Sequence, residues 1–100
     1  MKAAVDAGAT FWNGGVFYGR GPNGEPKNIQ LIARFFATYP EYADKVFLSI
    51  KGGLHLNWQV DGSPEFLRQD VEAVLKILDG KKRLDMFECA RVDPNTYFLI

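Results

Sequence analysis

The order of apolar runs along these 100 residues predicts an α/β chain: strand, helix, strand, helix, strand, with a parallel sheet covered by helices. Two observations carry that expectation. The runs at Phe11-Trp12, Val46–Ile50 and Leu84–Phe87 are too short for helices and are followed by small or polar residues. Between them lie two segments whose apolar residues recur at helical spacing. Right-handed crossovers then bring every strand's C-terminal end to one edge, gathering Asn13, Tyr18, Lys51 and Glu88–Arg91 there. Both (β/α)8 barrels and doubly wound sheets bind ligands at that edge, so this geometry leaves the two folds open.

The elements follow in order. Met1–Ala7 is alanine-rich and Gly8 stands where a C-cap glycine would, so the segment reads as the tail of a helix. Phe11-Trp12 forms a brief strand running into Asn13-Gly14-Gly15, and Gly19–Pro26, with three glycines and two prolines, is loop. Asn28 is placed to cap a helix with Ile29, Ile32, Ala33 and Phe36 on one stripe. Pro40 stops it, because the residue before a proline is pushed out of the α region. Val46–Ile50 is almost continuously apolar, as expected of a strand buried on both faces. Gly52–Gly62 is loop, and Ser63-Pro64 starts the next helix with a hydroxyl cap and a proline in the first position. Leu67, Val71, Val74, Leu75 and Leu78 share a face of that helix, and Gly80 closes it. Leu84–Phe87 is the third strand.

Composition narrows the function. A hydrophobic share of 47%, with 14% aromatic, is enough to drive burial and argues against disorder. Twelve basic and twelve acidic residues cancel, so the overall charge offers no support for nucleic-acid binding. The short run Lys81-Lys82-Arg83 falls at a helix end, where cations favour the last carbonyls. A single cysteine rules out an internal disulfide, and no apolar run is long enough for a bilayer. The first residues make a poor secretory signal, so a cytoplasmic chain without membrane association is expected.

The chemistry centres on Tyr18 and Lys51. An ammonium beside a phenol favours the phenolate and lowers the phenol pKa from about 10, so such a tyrosine can hand a proton to a carbonyl oxygen. Taken singly, Tyr18 would be a packing residue and Lys51 a solvated one. Trp58, on the loop after the second strand, either stacks on a flat ring or covers the mouth of the site. His55 and Cys89 are 34 positions apart with no short ligand pair, so no metal site is expected, and Cys89 reads as a small buried hydrophobe. Gly19–Gly24 lacks the lysine-plus-hydroxyl ending of a P-loop.

Three segments carry a family resemblance. Asn13-Gly14-Gly15-Val16-Phe17-Tyr18-Gly19, Leu48-Ser49-Ile50-Lys51-Gly52-Gly53 and Asp85-Met86-Phe87-Glu88-Cys89-Ala90-Arg91-Val92-Asp93-Pro94 resemble the aldo-keto reductase superfamily, most closely its fungal pyridoxal reductase branch. The resemblance extends from residue 1 to Asn95. It implies a (β/α)8 barrel that binds NADPH and reduces an aldehyde or ketone, a small-molecule carbonyl substrate, by hydride transfer. It places Tyr18 as the proton donor, Lys51 as the residue that tunes it, Asn13 where the family carries an aspartate and Ala90 where it carries a histidine. Asparagine keeps an acceptor for the Lys51 ammonium but removes its counter-charge, and alanine offers no hydrogen bond.

A whole barrel takes about 200–250 residues, so the chain is expected to be a fragment, residues 1–100, of a larger reductase domain: three parallel strands and two complete helices. The residues that grip the dinucleotide are expected mostly outside it. An alternative expectation is a non-catalytic βαβαβ fragment without a cofactor site. Two open sheet edges would favour self-association. Thr96–Ile100 departs from the family pattern as an apolar terminus.

Overall fold

A computed structural model describes residues 1–22 and 24–95. The apolar terminus at 96–100 lies outside them, as does residue 23 of the glycine-rich loop. The chain runs α1 (Lys2–Asp6), β1 (Phe11–Gly15), α2 (Lys27–Thr38), a 3-10 turn (Pro40–Lys45), β2 (Phe47–Gly52), α3 (Pro64–Leu78) and β3 (Met86–Cys89). The strands pair in parallel in the order β1-β2-β3, the α/β architecture expected and consistent with part of a (β/α)8 barrel.

Register decides which side chains share a face. Phe11 pairs with Phe47, Asn13 with Ser49 and Gly15 with Lys51; across β2, Ser49 pairs with Met86 and Lys51 with Glu88. Alternate residues point the other way. On that second face Leu48 and Ile50 are fully buried beneath Ile29 and Phe36 of α2 and Val74 and Leu78 of α3. Trp12 joins this core, its ring 5.4 Å from Phe35 and 5.5 Å from Phe36. The first face carries no helix, so Phe47 is 43% exposed. The expectation of a strand buried on both faces therefore holds fully for the helix-covered face of β2 and on the other face for Ser49 alone.

Several local expectations are corrected. Asn28 lies inside α2, whose N-cap is Pro26, and its amide serves the preceding loop instead of its own helix. β3 begins two residues after the apolar signal, because Asp85 stands in for a ladder residue: its amide donates to Leu48 O, and its carboxylate accepts from Leu48 N at 2.8 Å. Lys82 does not serve the last helix carbonyls; it is buried, with its ammonium 2.7 Å from Asp85. Leu75 is exposed, since α3 turns the Val74–Leu78 stripe to the core. Cys89 is exposed rather than a buried hydrophobe, because β3 is an edge strand with no covering element at that position.

The predicted helix stops match well. Ser63 Oγ accepts from Phe66 N, Pro64 follows it, and the chain leaves α3 through left-handed Asp79 and Gly80. No helix among the described residues is long and apolar enough to cross a membrane.

Candidate active site

The site is built where β1 ends. Gly14 has room for only a hydrogen: a Cβ there would lie 2.8 Å from Asn28 Oδ1 and 3.0 Å from Ile50 Cδ1. That space lets the Asn28 amide reach the loop backbone. Its Nδ2 donates to Gly15 O at 2.6 Å and to Tyr18 O at 2.9 Å, and its Oδ1 accepts from Gly15 N at 3.2 Å. Val16 N donates to Lys51 O, continuing the β1–β2 ladder, and Tyr18 N donates to Gly15 O in a tight turn. The turn folds Tyr18 back over Lys51, the register partner of Gly15 on β2.

The result is a direct contact. Lys51 Nζ donates to the Tyr18 phenolic oxygen at 2.6 Å, with the ammonium 4.9 Å from the ring centroid. An ammonium has donors and no acceptor, so the phenol oxygen must be the acceptor in this bond. The phenol hydrogen is thereby left to point elsewhere. Tyr18 is 42% exposed, so a substrate oxygen can reach it. The two residues singled out from sequence are brought together.

Asn13 is placed differently from expectation. It does not meet Lys51; its Nδ2 donates to Glu88 Oε1 at 2.7 Å, and Ser49 Oγ donates to the same oxygen at 2.9 Å. These two bonds, with the nearby charge of Lys51, hold the Glu88 carboxyl below the usual glutamate range despite partial burial. Sequence reasoning gathered Glu88 at this edge but gave its carboxylate no role. The signal lay in register, since Glu88 sits opposite Lys51 and two residues after Met86, which pairs with Ser49.

A cleft of about 410 Å³ opens beside the pair, lined by Phe17, Tyr18, Lys51, Leu54, Trp58, Ala90 and Arg91. Trp58 therefore does stand at the site. It adopts φ +68°, a conformation bulky residues rarely take, and its ring meets Phe17 edge-on at 5.8 Å. Arg20 holds this loop in place: its guanidinium donates to the carbonyls of Leu54, His55 and Leu56 and lies 4.9 Å from the Trp58 ring. His55 turns away to bond Asp61 at 2.7 Å. Ala90 lines the cleft with a methyl group only, while its amide donates to Gly52 O.

The sequence model of the aldo/keto reductase family matches residues 1–99. A Schizosaccharomyces pombe protein named "Probable pyridoxal reductase 2" is 46% identical over 94 residues, which covers 93% of this chain and 28% of that protein. An uncharacterized oxidoreductase from the same yeast is 38% identical over 98 residues, again 28% of its length. An aldo-keto reductase of Gibberella moniliformis is 30% identical over 98 residues. The chain thus spans about 28% of the length of each of these three curated relatives.

Proposed function

The chain belongs to the aldo/keto reductase family, and from that premise we propose that it carries the proton-donating half of an NADPH-dependent carbonyl reductase of the pyridoxal-reductase kind. One observation carries the reading: the 2.6 Å bond from Lys51 Nζ to the Tyr18 oxygen at the edge of an open cleft. The side chains present suit the reacting end of such a cofactor. Phe17 and Trp58 offer flat apolar walls, and Lys51 and Arg91 supply positive charge. When bound, the reduced nicotinamide supplies the hydride.

The residues of this chain handle the proton. A carbonyl oxygen entering the cleft meets the Tyr18 O–H, which donates to it as negative charge develops. Lys51 holds the phenol oxygen from the other side and stabilises the phenolate left behind. Asn28 fixes the loop backbone, so the phenol is placed before substrate arrives. The Phe17 and Trp58 rings give a planar substrate such as pyridoxal surfaces to lie against.

The test uses a hybrid reductase in which this chain replaces the matched segment of the S. pombe relative. NADPH-dependent reduction of pyridoxal is expected, and Tyr18→Phe should lower kcat about 10²- to 10⁴-fold, the range for losing a general acid, with NADPH still bound. A Tyr18→Phe protein with undiminished kcat removes the assignment of Tyr18.

A further inference from the structure

Arg20 stands outside the proton-donating pair, yet its side chain joins the two loops that flank the cleft. We propose that Arg20 is a positioning residue that determines specificity: it fixes Trp58 as a flat wall of the cleft, and so favours carbonyl substrates built on a planar aromatic ring over aliphatic ones. This rests on the reading above that carbonyl substrates enter the cleft, while the contacts of Arg20 are separate from the Tyr18–Lys51 bond.

Three observations converge. First, the Trp58 loop closes through its own backbone. Asp61 N donates to Gly53 O, His55 N to Gln59 O and Trp58 N to His55 O, with a bridge between Leu54 and Val60. The tight turn of this hairpin puts Trp58 at φ +68°, where a bulky residue stays only if its surroundings hold it. Second, Arg20 supplies that hold. Nη2 donates to Leu54 O at 3.4 Å, and Nη1 donates to His55 O at 3.4 Å and to Leu56 O at 3.3 Å. One planar fork thus spans three successive carbonyls. Nε is buried and has no hydrogen bond among the described residues, so the hold runs through the two terminal nitrogens. Third, the same guanidinium lies 4.9 Å from the Trp58 ring, a cation–π contact that fixes the ring as well as its backbone.

The base of Arg20 is itself anchored. Its backbone bridges to Pro26, the N-cap of α2, and Gly21 N donates to Glu25 O at 2.9 Å. Trp58 lines the cleft with Tyr18 and Lys51, whereas Arg20 lines a neighbouring cavity of about 220 Å³ with His55 and Phe66; Leu54 lines both. Arg20 therefore acts on a substrate through Trp58. A ring lying against a fixed indole gains stacking that a short alkyl chain does not. Without the fork, a ring-bearing substrate must order the loop as it binds, at a cost in affinity.

The test uses the hybrid reductase loaded with NADPH and titrated calorimetrically with pyridoxine, the alcohol that reduction of pyridoxal yields, so that affinity is read without turnover. Arg20→Met keeps the length of the side chain and removes the fork. It should weaken pyridoxine binding about 3- to 10-fold, the worth of one aromatic contact. The KM for propanal, which has no ring, should change by less than about twofold. Trp58→Ala should weaken pyridoxine binding to a similar extent, and the double variant should bind no worse than Trp58→Ala alone, since the guanidinium then has no ring to position. Arg20→Lys keeps a cation without the planar fork and should fall between the parent and Arg20→Met. Unchanged pyridoxine binding in Arg20→Met, additive losses in the double variant, or equal weakening for pyridoxine and propanal each overturn the proposal. A parent hybrid that binds no pyridoxine removes it together with the pyridoxal reading. By contrast, undiminished kcat in Tyr18→Phe removes the proton-donor reading and leaves the pyridoxine result standing.

Discussion

At the scale of single residues, the pair Tyr18–Lys51 was legible because both follow strand signals in segments that resemble a known family's motifs. Their partners were not. Asn28 looks like a helix cap from its neighbours in sequence, yet its amide is drawn across to Gly15 and Tyr18 because Gly14 leaves the space. No one-dimensional pattern encodes that approach. The consequence is testable: Asn28→Ala strips the loop of three hydrogen bonds and leaves Gly15 N without its acceptor. We expect about 1–3 kcal/mol lower stability in the hybrid reductase, the cost of leaving partly buried polar groups unmet. Because the phenol then samples more positions, kcat should fall roughly 10-fold or more. Denaturant unfolding and steady-state kinetics check it; a destabilised protein with undiminished kcat separates Asn28 from catalysis.

At the scale of elements, the strands are joined by side chains as well as by their ladder. Asp85 illustrates this. Its carboxylate accepts from Leu48 N and from Lys82, tying the approach of β3 to β2 just before regular pairing begins. Partial burial pushes the Asp85 carboxyl up, but the Lys82 ammonium and the Leu48 amide outweigh it and leave the pKa lowered. The linked stability is fully present above the unfolded aspartate pKa of about 4 and is lost as pH falls through the lower folded value. Urea midpoints between about pH 6 and 3 should therefore decline in the native hybrid, and Asp85→Asn should flatten the part due to this residue. Lys82→Ala should cost about 2–3 kcal/mol, below the ~3–5 kcal/mol of a fully buried pair because Asp85 keeps some access to water. A cost under about half a kcal/mol, typical of an exposed pair, would return Lys82 to the role of a cation that favours the last helix carbonyls.

At the scale of the whole molecule, the chain is a slab of two layers. Its radius of gyration is 14.2 Å, against about 13 Å for a compact domain of this length, and its least extent is 21 Å. Helices cover one face of the sheet; on the other, Phe11, Phe47 and Met86 are 59%, 43% and 40% exposed, with Phe11 and Phe47 stacked at 5.3 Å. Strands β1 and β3 are both edges. Open parallel edges beside an apolar face favour association, so the 100-residue chain expressed alone should self-associate. Sedimentation velocity should give a weight-average that grows with concentration; a monomer across the accessible range, with cooperative unfolding, contradicts it. The same face carries Lys51 and Glu88, register partners on β2 and β3.

Sequence by itself determined the element order, the parallel α/β class, the Ser63-Pro64 helix start and the identity of the phenol–ammonium pair. Each of these is written locally, in hydrophobic period, turn chemistry and motif spacing. Only the tertiary structure decided which groups those residues meet. Glu88 faces Lys51 and Asn13 serves Glu88 because parallel register sets residues dozens of positions apart side by side, and Lys82 is buried against Asp85 where that aspartate is tied to Leu48 of β2. Hydrogen bonds form where side chains converge in space, and convergence is fixed by strand pairing, which no single segment specifies.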